Sequence, residues 1–255
     1  MWQPDGWDAA VRVGVLAPHA DVGPESEINA MARGAVGVHA ARVPFGAMTA
    51  GGAMDRTIPL APVAAFVQPP HIDDAVALLA AAPLHAIGIG FTSASYLIGA
   101  DGEKDVVARL SARSRGIPVV ATGAAAADGL RRVGVSRIAL VSPPWFDAEL
   151  DELGTQYFQS QGFEVGFHAP ADLPSEQRSI EPAQLYEWAR ASTPRSAEAV
   201  FIGGNGFRSV GVIAALEDAL GVPVLTANQA LLWGMLRAAG SPIALDGYGR
   251  LFTLS

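Results

Sequence analysis

Two stretches of this chain read as copies of one another. Ala86-Ile-Gly-Ile-Gly-Phe-Thr-Ser-Ala-Ser95 and Ala199-Val-Phe-Ile-Gly-Gly-Asn-Gly-Phe-Arg-Ser209 are short apolar runs that stop abruptly in small and hydroxyl-bearing residues. An apolar run of this length bounded by Gly is the pattern of a strand buried on both faces of a parallel sheet, and open α/β sheets place ligands beyond the carboxyl ends of such strands. Two such ends in one chain point to a single site built from two halves.

The likeness extends along the sequence. Val13-Gly-Val-Leu-Ala-Pro18 matches Ile138-Ala-Leu-Val-Ser-Pro143, and Gly116-Ile-Pro-Val119 matches Gly221-Val-Pro-Val224, with an offset that shrinks steadily toward the C-terminus. β-Branched runs alternate with Ala/Leu-rich stretches, as in βαβ units. Strands are predicted over Arg12–Ala17, Val36–Ala41, Ala86–Gly90 and Pro118–Ala121, then over Arg137–Ser142, Glu164–Phe167, Ala199–Ile202 and Pro223–Thr226. Helices are predicted over Ile72–Ala82, Glu103–Arg115, Ala124–Val133, Ala148–Gln161, Ala183–Ala191, Val210–Ala219 and Gln229–Ala239. The expectation is an α/β fold of two pseudosymmetric lobes, each a four-stranded parallel sheet flanked by helices, with the site in the interlobe cleft. Residues 1–121 and 227–255 form the first lobe in this reading, and 122–226 the second. The plainer alternative is that any parallel α/β chain shows Gly-x-Pro-Val before a strand.

Composition narrows the chemistry. The chain has 255 residues, a formal charge of −8 and 16% charged residues, without the clustered Lys and Arg that nucleic acid requires. Small anions stay open, because backbone N–H groups can cradle them against the net charge. There is no cysteine, which removes disulfides, thiolate metal sites and thiol nucleophiles together. Met1-Trp-Gln-Pro-Asp-Gly-Trp-Asp8 has neither a basic nor an apolar leader segment, and no apolar stretch reaches the ~18 residues of a membrane span. A cytoplasmic location off the membrane is expected, and homo-oligomer formation is left open.

Four strand-end loops converge if the lobes face each other: Pro18-His-Ala-Asp21, Phe91-Thr-Ser-Ala-Ser95, Ser142-Pro-Pro-Trp-Phe146 and Gly203-Gly-Asn-Gly206. Hydroxyls at Thr92, Ser93 and Ser95 and unhindered N–H groups around Gly204, Asn205 and Gly206 suit a carboxylate or a developing enolate oxygen. The same hydroxyls can also simply cap a helix, and Gly203-Gly-Asn-Gly is a turn signal first. Gly-x-Gly-x-x-Gly is not met, so a nucleotide site is not expected. His19 and Asp21 are candidates to carry a proton, with Asp21 equally able to cap the turn before Pro24. Arg42 suits a carboxylate, though it can equally make a structural ion pair. His71, His85 and His168 share no ligand spacing, and no metal site is expected.

With these loops in view the chain resembles the aspartate/glutamate racemase superfamily, in its arylmalonate decarboxylase and maleate cis-trans isomerase branch. The resemblance rests on Val13–Pro18, Val38-His-Ala-Ala-Arg42, Phe91–Ser95, Gly129-Leu-Arg-Arg-Val-Gly-Val-Ser-Arg-Ile-Ala-Leu140, Phe201–Arg208, Gly221–Val224 and Gly247-Tyr-Gly-Arg-Leu-Phe252, taken in order and spacing. It implies two lobes with the site between them and chemistry without cofactor or metal. Racemases and isomerases of this kind use one cysteine from each lobe, and the decarboxylases keep only the second as proton donor to an enediolate. The resemblance places these cysteines at Phe91 and Gly204, so both thiols are absent here. Thr92 and Ser93 match the hydroxyl pair that holds the enediolate, Trp145 stands where the third loop has a tyrosine, and Pro18-His-Ala-Asp21 replaces a Pro-Ser-Ser-Asn run.

The expectation is therefore a cofactor-independent enzyme acting on a small carboxylic acid, decarboxylase-like in preference to isomerase. Thr92, Ser93 and the Gly204–Asn205 backbone would form the oxyanion hole, with His19 or Asp21 in place of cysteine. Phe91, Trp145 and Phe207 would face an aryl or alkyl substituent, or else belong to lobe-interface core. The alternative is a non-catalytic carboxylate-binding or sensing module on the same fold, and hydration by a His19-activated water is a weaker third.

Overall fold

Residues 5–254 are described in a computed structural model, so residues 1–4 of the N-terminal stretch read for a leader lie outside the described residues. All eight expected strands form, as β1 (Val11–Pro18), β2 (Val36–Val43), β3 (Ala86–Ile89) and β4 (Val119–Ala121), then β5 (Arg137–Ser142), β6 (Glu164–Pro170), β7 (Ala199–Ile202) and β8 (Val224–Thr226). They build two four-stranded sheets of the same order, β2-β1-β3-β4 and β6-β5-β7-β8, parallel throughout. The inner strands are buried along their length because helices cover both faces, whereas the edge strand β6 alternates between exposed and half-buried positions.

The helices are α1 (Gly23–Ala32), α2 (Leu60–Phe66), α3 (His71–Leu79), α4 (Thr92–Ser111), α5 (Thr122–Arg132), α6 (Ala148–Ser160), α7 (Pro182–Ser192), α8 (Ile213–Leu220) and α9 (Ala227–Ala238). Three differ from the sequence reading. The first, α1, opens on Gly-Pro, and Glu27 interrupts its buried stripe of Pro24, Ile28 and Met31, so the helical spacing is present without the apolar signal. The short helix α2 contains Pro62. In α4 the helix begins eleven residues early, at Thr92, because a break at Gly99 (φ 68°, ψ 176°) joins two helices where the sequence suggests a loop and then one. Among the described residues no helix is long and apolar enough to cross a membrane.

After β4 the chain enters α5, which lies against β8 as well as β4, and after β8 it enters α9, which lies across β3 and β4. Close approach makes this return possible: a Cβ on Gly88 of β3 would sit 2.8 Å from Met235 Sδ of α9, and one on Gly129 of α5 would sit 3.0 Å from Leu225 Cδ2 of β8. The lobes are also joined by a buried carboxylate. Glu103 of α4 accepts the hydroxyls of Ser95 and of Tyr157 on α6, each at 2.5 Å, and the Gly123 and Ala124 N–H groups at the start of α5. Burial pushes its carboxyl up and these donors oppose the rise. Removing one donor from a buried carboxylate leaves part of its desolvation cost uncompensated, so Tyr157→Phe is expected to lower the urea-measured unfolding free energy at pH 7 by about 2 kcal/mol.

Candidate active site

The turns leaving the two sheets are matched. Asp21 N–H donates to the Pro18 carbonyl and Phe146 N–H to the Pro143 carbonyl, both at 3.0 Å, and Gly90 and Gly203 donate to Leu16 and Val141, both at 2.9 Å. Thr92 and Asn205 then occupy equivalent positions in the two halves and meet in the cleft. The N–H (2.8 Å) and hydroxyl (2.6 Å) of Thr92 both donate to Asn205 Oδ1. The Asn205 amide donates to Thr122 Oγ1 (3.2 Å) and Asn228 Oδ1 (2.9 Å), in the first turns of α5 and α9. Asn228 in turn donates to the Asn205 carbonyl and to Glu27 Oε2, each at 2.8 Å.

Beside this network lies a narrow, partly open cavity of about 20 Å³, the volume of a single ordered water. Asp21, Thr92, Ser93, Gln177 and the Gly204–Gly206 segment supply its polar wall, while Phe91, Trp145, Met48, Met54 and Ile58 are among its apolar lining. Met48 and Met54 pair as a β-bridge in the segment after β2, and Ile58 N–H donates to the Trp145 carbonyl at 3.1 Å, so this first-lobe segment is pinned onto the second lobe over the cavity. Phe91 stacks with Phe45 and Phe66, at centroid distances of 4.9 and 4.3 Å, and Trp145 meets Phe207 edge-on at 5.8 Å. Phe45, Phe91 and Trp145 are both cavity wall and lobe core, whereas Phe66 and Phe207 are core alone and Phe207 does not reach the cavity.

The two candidate proton carriers are separated. His19 is exposed, lies outside the cavity lining, and its Nδ1 accepts the Phe45 N–H at 3.1 Å. Asp21 is 3% exposed and lines the cavity. Its Oδ1 accepts the Gly23 N–H at 2.8 Å, the expected turn-capping bond, and its other oxygen turns toward Gly206. Desolvation raises Asp21 from its ordinary 3.8 to about 6, against the opposing effects of the Gly23 N–H, the Gln177 amide and Arg42. Arg42 itself stays at the margin, with its guanidinium on Glu25 and the Asp21 carbonyl and absent from the cavity lining.

Thr92 is fully buried, and both of its donors are committed to Asn205. Ser93 follows it in the first turn of α4, where backbone N–H groups lack intrahelical partners, and faces the cavity. Gly204 has φ +87°, and a Cβ there would lie 2.2 Å from Pro143 Cγ. Glu27, which the sequence reading passed over, accepts Ser209 N–H (2.6 Å) and Val210 N–H (3.0 Å) besides Asn228, and burial lifts it from 4.5 to about 7. Its place on the Pro24, Ile28, Met31 face of α1 was the available signal. Gln177, in a 3-10 turn of the β6–α7 connection, had none. Among the described residues no group of three or more His, Asp or Glu is placed to hold a metal ion.

The arylmalonate decarboxylase profile matches residues 65–252, most of the sequence. The chain belongs to the arylmalonate decarboxylase family. Members and neighbours of this family with similar sequences include a maleate isomerase of Geobacillus stearothermophilus, 26% identical over 151 residues (58% of this chain, 59% of that one). An arylmalonate decarboxylase of Bordetella bronchiseptica is 30% identical over 152 residues (54% and 58%). The matched stretch thus spans less than two thirds of either curated relative. In fold, the chain is similar to the maleate isomerase Iso from Pseudomonas putida S16, with a TM-score of 0.83 at 22% identity over 95% of this chain and 98% of that one. It is also similar to an arylmalonate decarboxylase crystal structure, with a TM-score of 0.75 at 20% identity over 96% and 100%.

A carboxyl raised by burial holds its proton more tightly folded than unfolded. Its stabilising contribution is complete below the unfolded value and is lost as pH rises through the folded one. For Glu27 this window runs from 4.5 to about 7. Glu27→Gln is therefore expected to flatten the decline in unfolding free energy between pH 5 and 7.5 by roughly 2 kcal/mol, read from urea titrations at each pH.

Proposed function

We propose that this protein is a cofactor-independent enzyme acting on a small carboxylic acid through an enediolate-like anion, as a decarboxylase-like lyase in preference to an isomerase. The observation that carries the reading is Asp21, a buried carboxyl raised to about 6 that opens on the same small cavity as Ser93 and the Gly204–Gly206 backbone. A group with that proton affinity is matched to proton transfer near neutrality. The family membership supports the chemistry, since relatives include an arylmalonate decarboxylase and maleate isomerases. A solved variant of the Nocardia farcinica maleate cis-trans isomerase carries a covalently bound succinylcysteine intermediate, a step that this cysteine-free chain cannot follow.

In the proposed reaction the bond from the α-carbon to one carboxylate of a malonate-type substrate breaks and releases CO₂. The electron pair flows into the remaining carboxylate, giving the enediolate. Donors at Ser93 and in the Gly204–Gly206 turn hold its two oxygens. Protonated Asp21 gives its proton to the α-carbon and recovers one from solvent. Thr92 serves one step removed, fixing Asn205 and through it the turn. The aromatic wall of Phe91 and Trp145 suits an aryl or alkyl substituent on the same carbon, once the chamber, which as it stands has the volume of one water, widens to admit it. A decarboxylation of this kind asks for one proton donor and one stabilised anion, which is what the cavity holds.

A non-catalytic carboxylate-binding module is the second reading, favoured by the commitment of Thr92 to Asn205. The two separate in one experiment, incubating the protein with phenylmalonate and with maleate while following CO₂ release and fumarate formation. The lyase reading expects CO₂ from phenylmalonate, loss of at least ~100-fold in kcat for Asp21→Asn, and no effect of His19→Ala. Because the acid form is the active one, kcat/KM should fall about tenfold per pH unit above about 6. Thermal stabilisation by either compound without turnover would instead establish the binding module.

A further inference from the structure

Gly206 carries no side chain, and two others meet in the space. A Cβ at this position would lie 2.0 Å from Gln177 Nε2 and 2.8 Å from Asp21 Oδ2. The amide comes from the second lobe and the carboxylate from the first, so they meet across the cleft over a backbone stripped to hydrogen. Gln177 and Gly206 also line both the inner cavity and an outer groove of about 470 Å³. The groove continues along Gly23, Ser26, Arg178, Arg208 and Tyr248. The Gln177 side chain therefore forms a wall between a chamber the size of one water and an open channel large enough for a substituted acid.

We infer that Gln177 is the positioning residue for Asp21: its amide holds the carboxylate toward the cavity, and its side chain closes that cavity against the outer groove. The geometry stands by itself, whereas the catalytic meaning rests on the role proposed above for Asp21. Substrate entering from the groove displaces Gln177, which widens a chamber that otherwise holds one water, and the displacement strips Asp21 of a donor that favours its ionised form. Admission and proton loading of the acid are coupled by one side chain. The other charges around Asp21 are fixed by separate contacts. Arg42 is paired with Glu25, and Glu27 is held by Asn228 and two backbone N–H groups.

The test is a carboxyl ¹³C NMR titration of Asp21, assigned by comparison with Asp21→Asn, in the wild-type protein and in Gln177→Met, Gln177→Ala and Gly206→Ala. Methionine keeps the bulk of the wall without the amide, alanine removes both, and Gly206→Ala evicts Gln177 from the opposite side. Loss of the amide should raise the Asp21 midpoint by about 1 pH unit in all three. A midpoint at the wild-type value in the folded Gln177→Met and Gln177→Ala proteins would overturn the inference. The pH profile of phenylmalonate turnover then separates the two proposals. If the NMR midpoint moves and the profile moves with it, both hold; if the midpoint alone moves, the positioning role stands and the acid assigned to Asp21 fails.

Discussion

The Thr92–Asn205 pair ties the two sheets into one site. A single carbonyl oxygen, Asn205 Oδ1, accepts two donors from the first turn of α4, and the same side chain's amide reaches the starts of α5 and α9. In water such bonds contribute little net, but in a buried cleft each unpaired group would carry its full desolvation cost. The lobes are thus held at one separation, and that separation sets the width of the cavity. Glu27 extends the network to α1 and to the Ser209–Val210 backbone, so α1 and the starts of α4, α5 and α9 report to the same few polar atoms.

The two halves carry matched turns with different contents. Asp21 and Phe146 end equivalent turns, and Phe91 and Gly204 follow equivalent strands. At each pair one half is polar or bare and the other aromatic. The first lobe contributes an acid and a ring, the second a naked turn and a ring. An asymmetric substituent can therefore find an apolar wall and a donor turn on opposite sides of a symmetric frame. Burial does the electrostatic tuning: Asp21 and Glu27 lie near each other in a protein of charge −8, and desolvation outweighs their donors in both.

The strands were legible because burial on both faces writes itself as apolar runs, and the repeat located the cleft before any coordinate. Asp21, Ser93 and the Gly204–Gly206 turn followed from lying at strand ends. His19 occupies the same turn as Asp21, and only the path of the backbone decides which of the two side chains enters the cavity. Thr92 shows a different limit, since its donors are spent on a residue more than a hundred positions away. Gln177 sits in a loop without periodicity, and its significance arises from the hydrogen at Gly206. Glu27 was written into α1 but masked, because a buried charge looks like a surface one in a pattern of apolar spacing.

Gly204 fixes how closely the loop after β5 can approach the turn that follows β7. Its backbone is left-handed at φ +87°, and the space a side chain would need is taken by Pro143. Any nucleophile introduced there collides with the loop after β5 unless that loop retreats first. Position 204 and Pro143 are therefore coupled: a side chain at 204 fits only if the loop after β5 withdraws, so substitutions at the two positions will not act independently on stability.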